Sequence, residues 1–192
     1  MMLPFRNAVI REVPGNDILN GKIISAFYTS FPSPIGQIYI ASIKGKICKV
    51  SIGLSAKKGL ANFFSPYPHV KLRQSPKKLK SVTANIESYF KSGTKLSAEN
   101  IAILDATPFQ ISVWEETANI PPGKTRTYKW IADKIGKPDS SRAVGNALGK
   151  NPVPLLIPCH RVIRSNGETG GFTGGKKTKE KLLSIERSIE AV

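Results

Sequence analysis

The sequence predicts an α+β protein built in two parts. Three observations carry that prediction. The first third alternates apolar and polar residues in short runs broken by Gly and Pro, as half-buried strands do. From Thr107 onward the apolar residues recur at helical spacing instead. Between them, from Ser92 to Ala106, neither pattern holds, so a boundary is placed there, with parts at 1–98 and 99–192.

Residues 1–24, with Pro4, Pro14 and Gly15, read as an arm or a first irregular strand. Ala26-Phe27-Tyr28-Thr29-Ser30 reads as a strand and Pro32 to Gly36 as a turn. Gln37 to Ile43 and Ile47 to Ile52, joined by Lys44-Gly45-Lys46, make a β-hairpin. Cys48 lies in the second of these runs, where a small buried hydrophobe is expected. Residues 53–75, His69 among them, receive no assignment and no function. Ser75-Pro76 opens a helix with a capping residue followed by Pro at the first position. Its apolar face holds Leu79, Val82, Ile86, Tyr89 and Phe90, and Gly93 ends it.

The second part opens in the same way at Thr107-Pro108, with Phe109, Val113, Trp114 and Ala118 at helical spacing. Pro121-Pro122-Gly123 stops that helix. Thr127 caps the next, whose apolar face is Tyr128, Ile131, Ala132 and Ile135, with Gly136 after its end. A third helix runs from about Ser140 to Leu148, and the last two resemble a helix-turn-helix. In the third helix Val144, Ala147 and Leu148 form a packing face, while Arg142, Gly145, Asn146 and Gly149 fall on the other side. Glycine inside a helix costs about 1 kcal/mol against Ala, so Gly145 calls for a close neighbour, either DNA or a packed helix. After Arg164-Ser165-Asn166-Gly167, a turn, comes the loop Gly170-Gly171-Phe172-Thr173-Gly174-Gly175. It lacks the ending of a phosphate-binding loop and suits the wall of a pocket better. The last helix, about Lys176 to Ile189, turns Leu182, Leu183, Ile185 and Ile189 inward. Glu186 shares that face, and a buried carboxylate needs a partner, for which His160 and Arg161 are the candidates.

The stretch Asn151-Pro152-Val153-Pro154-Leu155-Leu156-Ile157-Pro158-Cys159-His160-Arg161-Val162 organises the rest. Three prolines exclude a helix interior, so a short, extended, buried segment is expected to deliver Cys159 to a fixed place. Two readings fit a Cys-His-Arg run. One is an inert structural thiol beside a basic pair. The other is a nucleophile in an electropositive setting that favours thiolate.

Composition narrows the partner. Lys and Arg number 29 against 13 Asp and Glu, a formal charge of +16, which fits nucleic acid or an anionic membrane. Two cysteines, far apart, make neither a disulfide framework nor a zinc cluster and suit a reducing compartment. No apolar run approaches the ~18 residues of a membrane span, and 1–24 lack a leader-type apolar core. A soluble monomer in the cytoplasm, or the nucleus of a eukaryote, is expected.

Taken together, these residues resemble the DNA alkyltransferases that repair O6-alkylguanine. The resemblance spans Thr107 to Glu186. It rests on Pro121-x-Gly123 with Tyr128, Ser141-Arg142-Ala143-Val144-Gly145, Asn151-Pro152, Pro158-Cys159-His160-Arg161-Val162, and Gly174-Gly175 followed by Leu182-Leu183 and Glu186. It implies a small N-terminal α/β domain with an antiparallel, ribonuclease H-like sheet, followed by a winged-helix-like domain. It implies a single, irreversible transfer of the alkyl group to Cys159 without a cofactor. His160 would remove the thiol proton through a water, oriented by Glu186, and Asn151 would hold the turn. Tyr128 would donate to the departing guanine. The carbonyls of Cys159 and Val162 would read its amine, with Thr173 near O6 and Phe172 beside it. The base must leave the stack to be reached. By the same resemblance Arg142 would fill the gap from the minor groove, with Ser141, Ala143 and Gly145 allowing close approach and Lys129 adding charge.

Phe172-Thr173 departs from the Tyr followed by Ser or Ala frequent in the family, which bears on the adducts accepted. The N-terminal part has no Cys/His set, so no metal is expected. A cysteine hydrolase would not need Arg142, Gly145 or the charge. A lesion sensor would lack the acceptor cysteine, and a plain helix-turn-helix regulator would leave Glu186 unexplained.

Overall fold

The computed structural model describes residues 11–12, 23–93, 96 and 100–190. Four strands form the main sheet: β2 (Ile24–Phe31), β3 (Ile38–Ile43), β4 (Lys46–Ile52) and β5 (Val70–Gln74), in the order β4-β3-β2-β5. The expected hairpin is present. Lys44 and Gly45 both have positive φ, 50° and 78°, the backbone that lets a two-residue turn follow the twist of its strands. The sheet is mixed, however, where an antiparallel one was expected. β5 runs parallel to β2, because helix α1 (Ala56–Phe64) carries the chain back across one face before β5 forms.

Neither α1 nor β5 was assigned from sequence. Ala56, Leu60 and Phe64 are buried at four-residue spacing, but Gly59 interrupts them. That glycine has a steric cause: a Cβ there would lie 3.2 Å from Ser51 Oγ on β4. β5 is an edge strand with four of its five residues exposed, so it lacks an apolar alternation.

Helix α2 (Pro76–Ser92) covers the other face of the sheet. Pro76 starts it and Gly93 ends it at φ 67°, as expected, although the Ser75 side chain makes no capping hydrogen bond. The stretch after α2 is more than a linker. Ala102–Ile103 (β6) pairs in parallel with Arg11–Glu12 (β1), and Ile101 bridges to Ile47. Of residues 1–24, Ile24 belongs to β2, and all but Arg11, Glu12, Ile23 and Ile24 lie outside the described residues.

The second part supplies α3 (Pro108–Ala118), α4 (Tyr128–Lys134), α5 (Ser141–Gly149) and α6 (Lys176–Glu190), with Arg126–Thr127 (β7) parallel to Val162–Ile163 (β8). Thr107 and Gln110 form a reciprocal capping box on α3, and Thr127 Oγ1 accepts from the Trp130 N–H. Trp114 is buried and donates from its indole to the Ala147 carbonyl at 3.0 Å, which fastens α5 to α3. One apolar cluster crosses both parts, from Ile38, Ile40, Val50 and Ile86 to Val113, Val144, Ile157 and Leu182. A second, smaller cluster lies under α1 and contains Cys48.

Candidate active site

The Cys159 segment is buried throughout, as expected, but it is not extended. It folds into turns, with Leu155 at φ 78°, and ends in a 3-10 turn over Cys159–Arg161. Asn151 holds it. Its Nδ2 donates to the Ile157 carbonyl at 2.8 Å and to Cys159 Sγ at 3.2 Å, while its Oδ1 accepts from the Val153 N–H at 3.0 Å. One amide side chain thus closes the turn and touches the sulfur.

Cys159 is 5% exposed and opens on a cavity of about 740 Å³. Tyr128 from α4, Arg142 and Gly145 from α5, and Phe172 and Thr173 from the glycine-rich loop line that cavity, together with Ser141 and Lys129. Ala143 is exposed on α5 beside them. Val162 does not line it: the residue is buried, and its carbonyl accepts from Lys179 Nζ at 2.6 Å. Thr173 Oγ1 donates to the Gly149 carbonyl at 3.3 Å. The Phe172 ring stands edge-on to His160, with centroids 6.4 Å apart. A methyl at Gly145 would meet the Tyr128 ring at 3.6 Å, an ordinary contact. The packing within the protein therefore does not demand glycine there.

Behind the thiol lies a buried relay. His160 Nε2 sits 2.9 Å from Glu186 Oε1, and both side chains are buried. Arg161 forks onto the same carboxylate, with Nη2 at 2.7 Å and Nε at 3.0 and 3.1 Å from its two oxygens. Arg161 Nη1 donates to the Ile120 carbonyl at 2.6 Å. The Gly123 N–H and the Tyr89 hydroxyl complete the carboxylate's shell at 3.1 and 2.7 Å. Both partners expected for Glu186 are therefore present. Burial alone would raise this carboxyl, but the hydrogen bonds and charges of His160 and Arg161 outweigh it and hold it well below the usual range.

An ionised Glu186 only accepts, so His160 carries its proton on Nε2 and leaves Nδ1 as a bare acceptor. Nδ1 is buried and has no hydrogen-bond partner among the described residues. Burial pushes His160 down, with hydrogen bonding and charge from Glu186 opposing, so the ring is neutral at pH 7. Burial likewise pushes the Cys159 thiol up, opposed by the Asn151 hydrogen bond and the charge of Lys179. The electropositive setting read from the Cys-His-Arg run therefore does not make a thiolate at rest. Arg161 is spent on Glu186, and the resting sulfur is a thiol.

Lys179 was not singled out from sequence. It is fully buried, donates to the carbonyls of Val162 and Gly171, and lies 5.9 Å from the Tyr128 ring. Burial lowers it to about 8, with the Cys159 charge opposing. A signal existed: Lys179, Leu182, Leu183 and Glu186 share one helical face. Among the described residues no three His, Cys, Asp or Glu side chains gather as a metal site. Nor is any helix there long and apolar enough to cross a membrane.

A thiol held by an amide, with a buried imidazole behind it and a cationic cavity in front, suits a protein whose cysteine works on an anionic ligand. The domain family described as 6-O-methylguanine DNA methyltransferase, DNA binding domain, matches residues 108–188. A methylated-DNA–protein-cysteine methyltransferase of Methanosarcina acetivorans is 37% identical over 162 residues, 84% of this chain and 99% of that protein. The crystal structure of the Mycobacterium tuberculosis O6-methylguanine methyltransferase aligns with a TM-score of 0.73 at 31% identity, covering 85% of this chain and 93% of that one. A structure of the same organism's OGT in complex with DNA aligns at 0.71 and 31%, covering 85% and 94%. The chain belongs to the methylated-DNA–protein-cysteine methyltransferase family.

Proposed function

We propose that this protein repairs O6-alkylguanine in DNA by moving the alkyl group onto its own Cys159, once per molecule. The observation that carries the reading is the His160 ring, bound through Nε2 to Glu186 with Nδ1 bare beside the thiol segment. The thiol proton passes to Nδ1 through a water. The sulfur then attacks the alkyl carbon, the carbon–O6 bond breaks, and its electron pair leaves with guanine. Lys179 offsets the thiolate charge while it exists. Tyr128 donates to the departing base, which regains a proton, and the thioether stays on the protein. No external cofactor enters this balance.

Arg142 enters the space of the flipped nucleotide, with Ser141, Ala143, Gly145 and Lys129 against the backbone. The Gly145 environment supports this, since the protein itself would accept a Cβ there at ordinary contact with Tyr128. Thr173 and Phe172 bound the adduct, and the Cys159 carbonyl meets the base with the lone pair left over from the Val162 N–H. We read 1–98 as a supporting unit of ribonuclease H-like kind and 99–192 as a winged-helix-like unit with a helix-turn-helix. Two free, buried cysteines suit a reducing compartment, the cytoplasm or nucleus.

The test is intact-protein mass after incubation with a duplex carrying O6-methylguanine. One added methyl per chain, mapped to Cys159, is expected. An unchanged mass with DNA still bound would refute the transfer and leave lesion binding alone.

A further inference from the structure

We infer that Tyr89, a residue of the supporting part, is a positioning residue of the thiol-activating relay. Its hydroxyl donates to Glu186 Oε1 at 2.7 Å, onto the same oxygen that faces His160 Nε2 at 2.9 Å. Tyr89 and Glu186 are almost fully buried, at 1% and 3% exposure, so neither has water as an alternative partner. The phenol comes from α2, 97 residues before the carboxylate. Tyr89 packs in the shared apolar cluster and edge-on to Phe90, so its ring is held while its hydroxyl points at the oxygen.

The chemistry follows from competition for one oxygen. A neutral donor on Oε1 disperses part of the carboxylate's charge and fixes the lone pair that His160 must meet. Without it, Glu186 would hold the imidazolium more strongly. His160 would then stay protonated to higher pH, and its ring, no longer held against a fixed lone pair, would be aimed less well at the thiol proton. The other groups around the relay are Arg161 and Cys159 on the same segment, Lys179 from α6 and the Gly123 N–H. Arg161 already takes both oxygens and neutralises the charge. Tyr89 therefore sets orientation and basicity rather than net charge.

This inference rests on the alkyl-transfer reading for its meaning, so the first readout is independent of transfer. The chain has two histidines, His69 and His160, which makes the His160 ring protons easy to follow by NMR. In Tyr89→Phe the titration midpoint of His160 should rise by about half a unit, the effect of one lost hydrogen bond to a charged group. Transfer at saturating duplex should slow about five- to tenfold, with DNA affinity unchanged within about twofold. Leu79→Ala loosens the same helix without touching Glu186 and should leave the midpoint where it is. Should Tyr89→Phe not fold, 3-fluorotyrosine at position 89 strengthens the donor and must move the midpoint down. An unmoved His160 midpoint in Tyr89→Phe, or an equal shift in Leu79→Ala, overturns the inference. Absence of transfer in the unmodified protein would overturn the functional reading instead, and leaves the His160 midpoint to decide on Tyr89.

Discussion

Cys48 and Cys159 are both buried free thiols, yet their surroundings differ in what else touches the sulfur. Cys48 lies on β4 inside the smaller apolar cluster, where its Sγ donates weakly to the Ala41 carbonyl at 3.5 Å. Burial pushes it up to about 12, with a backbone hydrogen bond and the Lys49 charge opposing. Cys159 accepts a hydrogen bond from Asn151, feels the Lys179 charge, and borders a cavity. Burial is common to both, and so is a lysine charge, from Lys49 at Cys48 and from Lys179 at Cys159. The Asn151 donor and the opening onto the cavity set Cys159 apart.

Several substitutions should break or sharpen that contrast. The largest effect is expected from Cys159→Ala, which should abolish methyl uptake from the lesion duplex, whereas Cys48→Ala should leave it unchanged. Iodoacetamide mapping of the folded protein should likewise label Cys159 and spare Cys48. Next, Glu186→Gln removes the charge that pairs with Arg161 and His160. It should cost about 3–5 kcal/mol of stability by leaving a buried cation poorly paired, and slow transfer by about 10²-fold as the base loses its anchor. Chemical denaturation and single-turnover rates would check the two halves separately. A variant with normal rates would make Glu186 purely structural.

Smaller changes concern charge. Lys179→Met takes away the cation beside the thiolate. Transfer at pH 7 should fall about tenfold, one unit of thiol ionisation, and the pH midpoint of iodoacetamide labelling should rise. An unchanged midpoint would assign Lys179 to holding the Val162 and Gly171 carbonyls alone. The smallest expected effect is thermal. Glu186 is depressed in the folded state, so unfolded chains bind more protons as acidity grows. Its stabilisation is present above the unfolded value of about 4.3 and drains away as pH falls below that. Melting temperature should therefore drop below about pH 5, and less steeply in Glu186→Gln.

Much of this was legible because the informative residues were local. Thr107-Pro108 and Thr127 announced helix starts that the structure keeps. Glu186 on an apolar face announced a buried carboxylate in need of partners, and the two candidates named for it, His160 and Arg161, are both present. What stayed hidden depended on distance or disguise. Tyr89 read as one more apolar position on α2, since nothing local says where a phenol's oxygen points. Lys179 stood among Lys176, Lys177 and Lys181, and only its helical phase marks it out. The turns of the Cys159 segment come from Asn151 bonding six and eight residues ahead, which the prolines alone do not dictate. The parallel pairing of β5 likewise follows from a crossover helix that Gly59 obscured. The side chain of Ile189, expected to face inward, lies outside the described residues.

One backbone bond has a practical consequence. The Val50 N–H on β4 donates to the Pro152 carbonyl at 2.9 Å, so the edge of the main sheet is stitched to the turn that carries the thiol. Anyone trimming this chain to a minimal labelling tag would be tempted to begin near residue 108, where every reacting atom is retained. Such a fragment would bare Val113, Ile157 and Leu182 to solvent on the side where Ile38, Ile40, Val50 and Ile86 now lie. The two halves are therefore best inherited, expressed and engineered as one piece.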